Sequence, residues 1–140
     1  MCTNLRLATL SNALITIDES AFAWCRNLAT IGLPNTLETI GANAFLECTS
    51  LSSITIPQDV TTLQGSAFMG CTGLTSATVK YKGVLPYQLF ANCTQLKTVT
   101  LSNGITSIGN NVFAECSSLS SIEIPNTVTS IGESAFAYCI

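Results

Sequence analysis

Seven cysteines recur at Cys2, Cys25, Cys48, Cys71, Cys93, Cys116 and Cys139, with successive gaps of 23, 23, 23, 22, 23 and 23 residues. A phenylalanine lies three residues before each cysteine from Cys25 onward: Phe22, Phe45, Phe68, Phe90, Phe113 and Phe136. A leucine lies three residues after each cysteine up to Cys116: Leu5, Leu28, Leu51, Leu74, Leu96 and Leu119. A period this regular constrains the fold more than any other feature, because each repeat is too short to bury an apolar side alone. Stacked coils bury it jointly, and each coil then contacts only its neighbours.

Within a coil, the run Leu51-Ser52-Ser53-Ile54-Thr55-Ile56 alternates apolar and polar residues at its end. That is the pattern of a strand with one buried face. Pro57 and Pro125 cannot continue a ladder and are expected to end their strands. Val-x-x-Ile-Gly, as at Val128 to Gly132, reads as a second extended piece, with Gly41, Gly109 and Gly132 permitting a bend. Ser-Ala-Phe-x-x-Cys has room for one short helical turn. The expected architecture is a single repeat solenoid over residues 1–140, with mainly short parallel strands and short helical turns. Its six coils start near Cys2, Cys25, Cys48, Cys71, Cys93 and Cys116, and there are no separate caps. Six coils at a strand spacing of about 4.8 Å span roughly 30 Å.

The string Ala-Phe-x-x-Cys-x-x-Leu-x-x-Ile-x-Ile-Pro-x-x-Val-x-x-Ile-Gly, nearly unbroken over residues 44–68 and 112–136, resembles the BspA-like leucine-rich repeats. The resemblance implies a right-handed solenoid. It also implies an adhesive or scaffolding role on the cell surface or outside the cell, with a host, matrix or self protein as partner. It carries over no ligand-binding residue.

Composition narrows the function classes. Only 9% of residues are charged and the net charge is −3, against about 25% charged in ordinary soluble domains. Nucleic acid is not an expected partner, because phosphate binding needs clustered Lys and Arg. No apolar run approaches the ~20 residues of a membrane helix, so no membrane insertion is expected. The start, Met1 to Arg6, lacks the features of a secretory signal. With no histidine, no Gly-x-Ser-x-Gly and no phosphate-binding glycine loop, the chain is read as a scaffold and not an enzyme. No catalytic residue, metal ligand or cofactor is assigned.

The cysteines admit three readings. A buried ladder of free thiols packs as small hydrophobes. Disulfides between coils would need Cβ atoms near 3.8 Å, closer than in-register neighbours stand, and seven is an odd number. Zinc would need a C-x-x-C pair or histidines, and neither is present.

Two candidate binding regions stand out. In the first strand the residues between the inward isoleucines point outward, giving columns that include Ser53, Ser76, Thr98 and Ser121, and Thr55, Thr78, Thr100 and Glu123. This hydroxyl strip is either a solvated β face or a binding surface. Its Thr98-Val99-Thr100 also resembles the rows of ice-binding solenoids, although Leu7, Gly32 and Glu123 interrupt the pattern. The coil from Cys71 is one residue short and lacks the Ile-Pro and Ile-Gly signatures. Its Lys80, Tyr81, Lys82 and Tyr87 are either a tolerated variation or a local recognition spot. Terminal coils without caps would expose core cross-sections and strand edges. That leaves end-to-end assembly into a filament as the alternative function.

Overall fold

The computed structural model describes residues 2–140 and contains eleven short strands and no helix among them. Each coil carries two extended segments. The first column comprises β1 (Leu7–Ala8), β3 (Thr30–Ile31), β5 (Ser53–Ile56), β7 (Ser76–Val79) and β9 (Thr98–Leu101). The second comprises β2 (Thr16–Ile17), β4 (Thr39–Ile40), β6 (Thr62–Leu63), β8 (Gly83–Leu85), β10 (Ile105–Ile108) and β11 (Ser130–Ile131). All pairings are parallel, in the orders β1-β3, β5-β7-β9, β2-β4-β6 and β8-β10-β11. The first column therefore has five strands where six coils were expected, because residues 121–124 form none.

Pairing across coils places identical positions side by side, so the sequence columns become ladders. Cys25, Cys48, Cys71, Cys93 and Cys116 are buried, as are Leu28, Leu51, Leu74 and Leu96. The six phenylalanines form one stack, with ring centroids 5.1 to 5.8 Å apart and planes within 16° of parallel. Offset stacking of this kind adds to area burial.

The expected helical turn is absent. Its place is taken by linked tight turns whose residues five and one before the cysteine are left-handed. These pairs are Ser20 and Trp24, Asn43 and Glu47, Ser66 and Gly70, Gln88 and Asn92, Asn111 and Glu115, and Ser134 and Tyr138. Left-handed residues interrupt an α-helix, and they turn alternate amides out of the coil. Ser20, Phe22 and Trp24 donate to the carbonyls of Ala42, Ala44 and Leu46 in the following coil. In the second column amides donate in both directions, Gly41 back to Ile17 and Gly83 forward to Gly104. The turn segment thus forms a third inter-coil ladder, which satisfies backbone groups that would otherwise be buried unpaired.

The recurrent glycines act differently from the expected bend. Gly41, Gly109 and Gly132 do not have positive φ. A Cβ on Gly41 would lie 2.5 Å from the Glu19 amide nitrogen, and one on Gly109 would lie 2.6 Å from the Leu85 carbonyl oxygen. These glycines permit close approach of neighbouring backbones.

The short coil has a specific structural solution. β10 places Ile105 opposite Gly83 and Ser107 opposite Val84, so Thr106 is the extra residue of a bulge. Gly83, at φ 120°, brings no side chain to the core slot that the buried Ile105 fills one coil later. The Tyr81 ring lies beside that slot, with its hydroxyl 3.1 Å from where a Gly83 Cβ would stand.

Candidate functional site

The strand face is built on β5, β7 and β9. Its register matches the hydroxyl columns: Ser53 pairs with Ser76 and Ser76 with Thr98, while Thr55 pairs with Thr78 and Thr78 with Thr100. All six are exposed or half-exposed. Their neighbours Ile54, Ile56, Ala77 and Val79 point inward and are buried.

Other hydroxyls on the coils are occupied. Thr49 donates to Arg26, Ser52 to Ala29, Thr75 to Ser52 and Thr129 to Thr106, each through a carbonyl one coil back. Among the described residues, no side-chain hydrogen bond engages Ser53, Thr55, Ser76, Thr78, Thr98 or Thr100. Their donors and acceptors face solvent.

A second hydroxyl column, missed in the sequence reading, runs along the other strands. Thr16, Thr39 and Thr62 pair in register, as do Ser107 and Ser130, with Val84 interrupting the column beside Ser107. The same 23-residue spacing carried the signal. Here Ser107 and Ser130 engage each other at 2.7 Å between their oxygens.

The face is not continuous. Ser121 and Glu123 lie on the next coil, but no main-chain hydrogen bond joins residues 120–124 to β9. Proline removes one tie at this position of the seam. At the two closed four-residue seams, Lys80 donates its amide to Ile56 and Ser102 donates to Val79. The equivalent positions in the second, third and sixth coils are Pro34, Pro57 and Pro125, which have no N–H; β3 nonetheless pairs with β1. Between β3 and β5 the seam is still held at its head, where the amide and hydroxyl of Ser52 both reach the Ala29 carbonyl. Between β9 and residues 121–124 it opens into a groove of about 430 Å³ lined by Thr98, Val99, Thr100, Leu101, Ser121 and Ile122, with Lys97 and Glu123 also at its walls.

The four residues of the irregular coil do not form one patch. Lys80 and Lys82 are exposed before β8, and Tyr87 is 54% exposed beyond its other end. Tyr81 is only 8% exposed and belongs to the core, where burial raises its phenol pKa. Its role is packing at the Gly83 slot.

All seven cysteines are free thiols. Each thiol from Cys48 onward donates to the carbonyl of the phenylalanine in the coil before: Cys48 to Phe22, Cys71 to Phe45, Cys93 to Phe68, Cys116 to Phe90 and Cys139 to Phe113, at 3.2 to 3.3 Å. Burial pushes Cys48 and Cys116 up to about 12, with neighbouring thiolates adding to the shift. Cys71 and Cys93 lie well above the ordinary thiol value for the same reasons. A nucleophilic or metal-binding thiol requires the opposite shift. Among the described residues no three metal-capable side chains come together, and no helix is long and apolar enough to cross a membrane.

Comparison with known proteins agrees with this architecture. Six copies of a BspA type leucine rich repeat region match residues 1–85 and 84–140. No curated protein matches the chain. Three solved bacterial structures are similar. A leucine-rich repeat protein from Eubacterium ventriosum has 24% identity and a TM-score of 0.74, over 96% of this chain and 43% of its own. One from Bacteroides ovatus has 26% identity and a TM-score of 0.65, over 99% and 48%. A leucine rich cell surface protein from Faecalibacterium prausnitzii has 27% identity and a TM-score of 0.68, over 97% and 46%. The chain spans less than half the length of each.

Proposed function

The chain belongs to the BspA-type leucine-rich repeat family, and on that premise we propose that it is a non-enzymatic, protein-binding segment of an adhesive surface protein. The carrying observation is the array of hydroxyls at Ser53, Ser76, Thr98, Thr55, Thr78 and Thr100, held in register on paired strands and unused within the chain. Such an array offers donors and acceptors at fixed spacing without charge, on a backbone already ordered. Binding then costs little further ordering entropy. The similar cell surface protein from Faecalibacterium prausnitzii supports a surface location.

The experiment is surface plasmon resonance of the purified chain against a panel of extracellular-matrix proteins, with Thr55→Glu/Thr78→Glu/Thr100→Glu as the comparison. The expected result is saturable binding to at least one protein, reduced at least tenfold in the variant. Binding that the variant leaves unchanged removes the strand face from this role. No binding across the panel counts against an adhesive function.

A further inference from the structure

We propose that the open seam between β9 and residues 121–124 receives an extended peptide of a partner protein as an added parallel strand. The inference deepens the protein-binding reading and rests on it; it concerns the seam between coils, which shares Thr98 and Thr100 with the hydroxyl face.

Three observations converge on this occupant. β9 is paired with β7 on one side only, so its other edge presents main-chain donors and acceptors with no strand partner. Unpaired edges of this kind take up an extended chain by strand addition. The inward side chains at the seam are incompletely covered. Val99, Leu101 and Ile122 are half-buried, whereas Ile54, Ile56 and Val79 at equivalent positions are fully buried. An incoming strand with apolar residues at alternate positions would cover them, since strand side chains alternate with period two. The charges supply polarity. Lys97 stands at the start of β9, and Glu123 stands one coil on from Thr100, three residues further along. A parallel peptide therefore matches with an acidic residue at its first position and a basic residue three later.

Two ties present at other seams are missing at this one. The residues at the position of Pro125 in the two preceding coils, Lys80 and Ser102, each donate the amide that ties their coil to the one before. Proline cannot donate, and here Ser120 makes no compensating bond at the head of the seam.

The test uses the synthetic peptide Asp-Thr-Val-Lys-Val as probe, followed by amide chemical shifts of the whole chain. Saturable shifts confined to residues 97–101 and 121–123 are expected. Binding should weaken at least tenfold for Lys-Thr-Val-Asp-Val and disappear when alternate peptide amides are N-methylated. Pro125→Ser restores the donor, so amide exchange across residues 120–124 should slow and probe binding should fall at least tenfold. Absent or scattered shifts, or equal binding of the charge-exchanged or N-methylated peptide, overturn the proposal. So does undiminished binding to a Pro125→Ser chain whose exchange shows a closed seam. If matrix proteins still bind through Thr55, Thr78 and Thr100 while the probe fails, the seam proposal alone falls.

Discussion

The thiol of Cys71 donates to the main-chain carbonyl of Phe45, one coil back, at 3.2 Å. That carbonyl also accepts the amide of Cys48 in its own coil. The sulfur is therefore both a core atom and a tie between coils, which accounts for cysteine at a position that an alanine would fill with less volume. Replacing Cys71 by Ala removes one buried hydrogen bond, worth about 1 kcal/mol net, and leaves a small void beside the phenylalanine stack. The expected loss is about 2 kcal/mol in all, read from the midpoint of urea unfolding at unchanged slope. A midpoint equal to that of the unmodified chain would show that the thiol bond contributes nothing.

Alkaline pH should unfold the chain cooperatively. The buried thiols have folded pKa values above the ordinary value of 9.0, about 12 for Cys48 and Cys116. Between those limits the unfolded chain releases protons that the folded chain retains. Their contribution is thus complete below pH 9 and is lost as pH rises from 9 toward 12. Each such thiol adds a slope of about 1.4 kcal/mol per pH unit in that window. Thermal melts from pH 7 to 11 would show it, and a flat profile above pH 9 would contradict buried, protonated thiols.

Two glycines separate close approach from open space. At Gly41 a Cβ would meet the backbone of Asp18 and Glu19 at 2.6 and 2.5 Å, while at Gly32 it would meet nothing within 4 Å. Gly41→Ala should destabilise by about 2 to 3 kcal/mol, in the range of overpacked sites. Gly32→Ala should be neutral or slightly stabilising, because alanine restricts the unfolded chain. Equal melting temperatures for the two variants would refute the inter-coil packing.

The short coil should depend on Tyr81 and not on the lysines beside it. Tyr81→Ala empties the slot at Gly83 and should cost about 3 kcal/mol or more, as large aromatic truncations in cores do. Lys80→Ala and Lys82→Ala, at exposed positions, should each fall within about 0.5 kcal/mol of the parent. Chemical denaturation of the three variants decides this, and a mild effect at Tyr81 would return that ring to the surface.

Much of the molecule was legible in the order of its residues. A 23-residue period makes every coil's contacts the same as its neighbour's, so columns such as Ser53, Ser76 and Thr98 could be written down before any pairing was seen. The buried cysteine, phenylalanine and leucine ladders follow from the same arithmetic. What the tertiary structure decided lies in relations between coils. Left-handed residues such as Asn43 and Glu47 replace a helical turn because their amides find carbonyls 22 residues onward, at Gly65 and Met69. Gly41 is needed because of Asp18 and Glu19, not because of its own φ. Tyr81 turns inward because Gly83 leaves a slot that Ile105 fills one coil later. Pro125 reads in sequence as the end of its own strand; only the stacked coils show that its missing N–H also removes a tie to the coil before. Local pattern determined which residues share a column, and the packing of one coil on the next determined what each column does, because backbone separation and hydrogen-bond partnership are properties of two coils together.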